Sequence, residues 1–189
     1  MKPIAKNIAL SALFLAIGLV LPFFTGQIPQ IGQMLLPMHI PVLLCGLVCG
    51  WQGGALVGFV LPLLRSMLFG APAFYPMATG MAFELMAYGL VAGLLYSLSK
   101  WKCLLSLYRS LVVAMLAGRV VWGAVQCIQM GVFGSGFSLQ MFLAGAFLNA
   151  IPGILAQLIL IPLVMLALGR TGLVPFNPKR GVQDGKAEG

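Results

Sequence analysis

Four polar side chains interrupt apolar runs in this chain and set the terms for any chemistry it performs: Arg65, Glu84, Arg119 and Asn149. A charge at the centre of a membrane helix costs about 2.5–3.5 kcal/mol on the insertion scale, so each needs a partner or a purpose. Within these runs two guanidinium groups face a single carboxylate. If Glu84 pairs with one arginine, the other is left with a positive charge. A small anionic solute, most simply a carboxylate, satisfies such a group in bidentate geometry. Two readings stay open at this point. Arg65 either clamps the anion or snorkels to the membrane interface, and Glu84 either orients a ligand contact or only ties helices together.

Neighbours at helical spacing extend the set. Arg119, Trp122, Gln126 and Gln129 stand at i, i+3, i+7 and i+10; Asn149, Gly153 and Gln157 at i, i+4 and i+8; Glu84 and Tyr88 at i and i+4. Residues so spaced share a helix face, and polar faces of membrane helices turn away from lipid. The single histidine, His39, can join them. The predicted substrate-binding set is Arg119, Arg65, Glu84, Asn149, Gln126, His39, Trp122 and Tyr88.

No catalytic arrangement accompanies this set. The sequence holds no HExxH, no GxSxG, no paired carboxylates and no P-loop, so neither enzymatic activity nor ATP hydrolysis is expected of this chain. Cys45 and Cys49 stand four apart with His39 upstream, but no second imidazole is available and acidic residues are few. The thiols read as small apolar packing groups, and no metal is expected.

The elements that must hold these side chains follow from composition. Of 189 residues, 61% are hydrophobic and 7% charged, against about 25% charged in a soluble domain. The apolar runs are continuous rather than alternating, which favours helices over a membrane barrel. The fold class is all-α: a polytopic membrane protein of six transmembrane helices with both termini cytoplasmic. The predicted spans are Ile4–Phe23, Met38–Gly50, a third running from a tight turn at Trp51–Gly54 to Gly70, Met77–Leu98, Ser110–Met130 and Leu139–Leu168. Residues 1–170 form a single six-helix membrane domain, and 171–189 a mobile cytoplasmic tail.

The net charge of +8 could suggest nucleic acid, but its distribution argues for topology. Lys2 and Lys6 precede the first run; Lys100, Lys102 and Arg109 share one internal connection; Arg170, Lys179, Arg180 and Lys186 follow the last run. Basic residues confined to alternate connections are the positive-inside pattern of a multi-pass cell-membrane protein. In this orientation the four interrupting residues lie at the midplane or in the outer half, around a cavity opening outward. Thr25–Pro37 is uncharged yet apolar, and reads as a lid over that cavity or as a short re-entrant piece. The second span is short: thirteen residues rise about 20 Å against about 30 Å of hydrocarbon, so it borrows from the preceding loop or sits inside the bundle. Ala5, Ala9, Ala12 and Ala16 form small-xxx-small pairs on the first span and allow another helix to approach closely.

The blocks LLPMHIPVLLCGLVCGW, GFVLPLLRSMLFGAP and MAFELMAYGLVAGLLY resemble the substrate-binding S components of energy-coupling factor (ECF) vitamin transporters, most closely the pantothenate-type branch. The resemblance spans most of the chain. It implies a six-helix fold that binds a vitamin from the outside beneath the loop between the first two spans. It also implies docking, through Ala5, Ala9, Ala12 and Ala16, onto a transmembrane coupling protein seated on two ATPase subunits. ATP would be used by those partners, with no cofactor in this chain. Pantothenate fits a spare positive charge; folate, cobalamin or a queuosine precursor remain open as ligands. A non-transport membrane scaffold, whose polar residues only hold helices together, is the alternative from another class.

Overall fold

The computed structural model describes residues 3–24, 37–99, 101–133 and 151–171. They form six α-helices: α1 Pro3–Phe24, α2 His39–Cys49, α3 Trp51–Phe69, α4 Thr79–Leu98, α5 Leu104–Phe133 and α6 Ile151–Arg170. A short helical turn, Phe74–Ala78, leads into α4. Among the described residues, five helices are long and apolar enough to cross a membrane, and α2 is the shorter apolar sixth. Most of the Thr25–Pro37 segment, Asn149, the first part of the predicted sixth span and the 172–189 tail lie outside the described residues.

Three boundaries differ from those expected. The predicted Trp51–Gly54 turn is helical: α3 begins at Trp51, and Gly50 alone reverses the chain. Gly50 does so at φ 89°, a left-handed conformation that glycine adopts without steric cost. The basic connection is shorter than Lys100–Arg109, because α5 starts at Leu104 and takes Arg109 into its second turn. Lys102 explains how so short a connection closes. Its ammonium donates to the Tyr96 and Ser97 carbonyls at the end of α4 and lies 4.5 Å over the Tyr96 ring. Cations belong at helix C-termini, where carbonyls lack partners; partial burial lowers the Lys102 pKa. At the other end of the same helix, α4 begins at Thr79 rather than Met77.

Helix α4 is the hub, packed against α2, α3 and α5, while α1 packs on α2 and α3 and α6 on α2 and α5. Only 11% of the residues along the α1 span are buried, against 44% along Phe74–Leu98. Helix α2 is enclosed, with every residue from Pro41 to Leu47 buried.

The hub is built on glycine. A Cβ on Gly89 would lie 2.2 Å from the Gly54 carbonyl oxygen, one on Gly58 2.3 Å from that of Leu85, and one on Gly46 2.5 Å from that of Gly89. Backbone therefore meets backbone where α2, α3 and α4 cross. Lipid tails are as apolar as leucine, so membrane helices gain from close packing rather than from hydrophobic burial, and small residues permit it. Leu43, Leu61, Leu85, Leu107, Leu111, Ile161 and Met165, all fully buried, fill the space around these crossings.

A buried polar seam between α4 and α5

Helices α4 and α5 pair antiparallel, and where the first half of α4 meets the second half of α5 they carry polar groups towards each other. Glu84 sits on α4 with 2% of its surface exposed. Its Oε1 accepts from Arg119 Nη1 on α5 at 3.0 Å and from the Tyr88 hydroxyl, one turn along α4, at 3.0 Å. His39 Nε2, at the start of α2, lies 3.8 Å from the same oxygen, within ion-pair range but too far for a hydrogen bond. The His39 and Tyr88 rings stand 5.2 Å apart. Three helices thus meet at one carboxylate oxygen.

Local sequence explains why they can. The Tyr88 ring occupies the space a side chain at Gly118 would need: a Cβ there would lie 2.4 Å from Cε1 of that ring. Glycine immediately before Arg119 lets the tyrosine lie flat on α5 and aim its hydroxyl back at Glu84. Gly80, one turn before Glu84, opens α4 towards Gln126, whose Nε2 would stand 3.3 Å from a Cβ at that position. Next along the seam, Gln129 Nε2 donates to Thr79 Oγ1 at 2.8 Å, and Thr79 in turn donates to the Pro76 carbonyl at 2.9 Å.

The described residues do not meet all of the seam's hydrogen-bonding capacity. Among the described residues, no partner is found for Arg119 Nε and Nη2, either nitrogen of His39, Gln126 Oε1, Gln129 Oε1 or Gln157 Nε2 on α6. Arg119, His39, Gln126 and Gln157 are each more than nine-tenths buried. An unmade hydrogen bond on a buried group costs about 1–3 kcal/mol, and more when the group is charged. In native proteins such groups are completed by ordered water, by other protein groups or by a bound ligand.

Of the predicted site residues, Glu84, Tyr88, Arg119 and His39 come together, and Trp122 and Gln126 continue the same face of α5. Arg65 does not join them. Its Nη1 donates to the Leu19 carbonyl of α1 at 2.8 Å, and its guanidinium lies 5.1 Å from the Phe23 ring centroid and 5.7 Å from that of Phe69. Those two rings meet edge to face at 4.9 Å. Arg65 fastens the ends of α1 and α3, so the two arginines do not converge on Glu84. Asn149 falls outside the described residues. The structure adds Gly118, Gly80, Thr79 and Gln129. The sequence signal for Gln129 was its place on the Arg119 stripe; the glycines show themselves only through what they face.

Among the described residues, no cluster of three or more His, Cys, Asp or Glu side chains forms. Cys45 contacts the Ser11 hydroxyl of α1 at 3.6 Å.

A bundle of apolar helices, five of them long enough to cross a membrane among the described residues, around a buried ion-paired seam defines an integral membrane protein. The chain belongs to the ECF transporter, substrate-specific component family, whose model matches residues 6–167. Members are the membrane-embedded substrate-binding subunits of vitamin uptake transporters, not enzymes, and they dock with an energising module. No curated protein and no solved structure matches the chain.

Proposed function

We propose that this subunit captures a vitamin acid, most simply pantothenate, from outside the cell membrane, and that Arg119 is the group that meets its carboxylate. The observation that carries the reading is the state of that guanidinium. Glu84 engages Nη1, while Nε and Nη2 are buried with no partner among the described residues. Arginine's planar fork suits bidentate carboxylate recognition. With one nitrogen held by Glu84, the adjacent pair is orientated in advance, and preorganisation of this kind lowers the cost of binding. Glu84 neutralises Arg119, so the guanidinium offers the carboxylate its two remaining N–H edges rather than a spare charge.

Pantothenate carries hydroxyl and amide groups in addition to its carboxylate, and the buried glutamines and His39 offer matching hydrogen-bonding atoms. Arg65, engaged at α1, is assigned a fastening role and not a ligand contact. The loaded subunit would pass its ligand inward on a coupling protein with two ATPases, which supply the energy from ATP; this chain needs no cofactor of its own.

Equilibrium binding of radiolabelled pantothenate to the purified subunit tests the reading. Saturable binding is expected in the wild type, with loss in Arg119→Gln. Binding of equal affinity in both proteins would remove Arg119 from the site, and no binding to the wild type would exclude this vitamin.

A further inference from the structure

The orphaned atoms that α5 contributes to the seam are sorted by polarity, while those of His39 and Gln157 lie on α2 and α6. At one end the unmet groups on α5 are donors, Arg119 Nε and Nη2. Further along the same helix they are acceptors, Gln126 Oε1 and Gln129 Oε1. In each glutamine the amide nitrogen lies towards α4: Gln129 Nε2 is committed to Thr79 at 2.8 Å, and Gln126 Nε2 faces the open backbone of Gly80. This leaves the carbonyl oxygens as the unmet atoms. Seven and ten residues separate them from Arg119, which at 1.5 Å per residue is on the order of 10–15 Å.

We infer that the seam is a ruler with opposite ends, taking a linear substrate whose anionic group and O–H or N–H donors are separated by about two to three turns of α5. This deepens the proposed function and rests on its assignment of the anion to Arg119. An anion alone would satisfy Arg119 and leave the glutamine oxygens unmet. A neutral polyol would satisfy the glutamines and leave the arginine bare. Extended pantothenate, with a carboxylate at one terminus and a hydroxyl at the other, has the required length and polarity. Biotin, a different linear acid with N–H donors at its far end, shares the pattern.

The experiment compares three probes on the wild-type subunit in nanodiscs by isothermal titration: pantothenate, its hydroxyl-free counterpart N-(3,3-dimethylbutanoyl)-β-alanine, and biotin. A site that hydrogen-bonds a substrate hydroxyl strongly rejects an analogue lacking it, so the hydroxyl-free acid is expected to bind about 100-fold more weakly than pantothenate. Gln126→Leu and Gln129→Leu together should shrink that ratio to near one by weakening pantothenate alone. Equal binding of the two acids to the wild type overturns the ruler while leaving the anion contact standing. If pantothenate fails and biotin binds with sensitivity to the glutamine pair, the vitamin assignment falls and the ruler holds. If none of the three binds, the ruler is overturned along with the pantothenate reading.

Discussion

Tyr88 offers a way to loosen the buried ion pair without removing either charge. Tyr88→Phe keeps the ring seated on Gly118 and deletes only the hydroxyl bond to Glu84. A hydrogen bond to a charged acceptor contributes about 1.5–3 kcal/mol, and denaturation of the detergent-solubilised subunit should show a loss in that range. Glu84→Gln should cost more, about 3–5 kcal/mol, because it leaves Arg119 charged, buried and uncompensated. A Glu84→Gln protein as stable as the wild type would show that Arg119 has another counter-ion. At this scale much of the cluster was legible in advance. A lone charge in an apolar run demands a partner, and spacing put Tyr88 on the face of Glu84 and Gln126 on that of Arg119. What spacing could not decide was which arginine Glu84 selects. Both candidates satisfy the same electrostatics, and the choice depends on α4 packing antiparallel to α5 while Arg65 finds the Leu19 carbonyl and two phenylalanine rings.

At the scale of elements, the crossing of α2, α3 and α4 depends on glycine, and two glycine substitutions separate steric from conformational cost. Gly70 closes α3 at φ 68° with open space around any added Cβ, so Gly70→Ala carries only left-handed strain, about 1–2 kcal/mol. Gly89→Ala instead drives a methyl group into the Gly54 backbone, which has no rotamer with which to yield. Overpacking of this kind costs about 1–3 kcal/mol where side chains can adjust, and backbone contact places Gly89→Ala at or above the top of that range. Thermal unfolding should therefore rank Gly89→Ala well below Gly70→Ala; the reverse order would mean that the three helices separate readily. The sequence carried this signal as Gly54-xxx-Gly58 and Gly89-xxx-Gly93, the small-residue spacing already noted on α1. Periodicity shows that a face is small without showing which helix it meets, and for these glycines the answer lies inside the bundle. The same limit applies to α2, whose eleven residues are too short to reveal their enclosed position by hydropathy alone.

For the whole molecule, the question is which surface the energising module grips, and α1 presents two unlike faces. Phe14 and Gly18 are buried and Ser11 meets Cys45, so this face belongs to the bundle; a Cβ on Gly18 would lie 2.6 Å from the Leu61 side chain. Ala5, Ala9, Ala12 and Ala16 are exposed on the rest of the helix, and a shallow apolar groove of about 320 Å³ continues from Ala16 past Ile17 and Val20 to Leu21. Small residues on an exposed membrane helix give another helix close access to the backbone, which is the property a docking face requires and a purely lipid-facing surface does not. Ala9→Trp or Ala12→Trp should therefore leave ligand affinity of the isolated subunit at its wild-type value while abolishing co-purification with the coupling protein and uptake in cells. Gly18→Trp should instead destabilise the subunit itself, because it strikes Leu61. These two outcomes separate a docking surface from a packing surface on the same helix. Undiminished uptake by Ala12→Trp would move the contact away from α1.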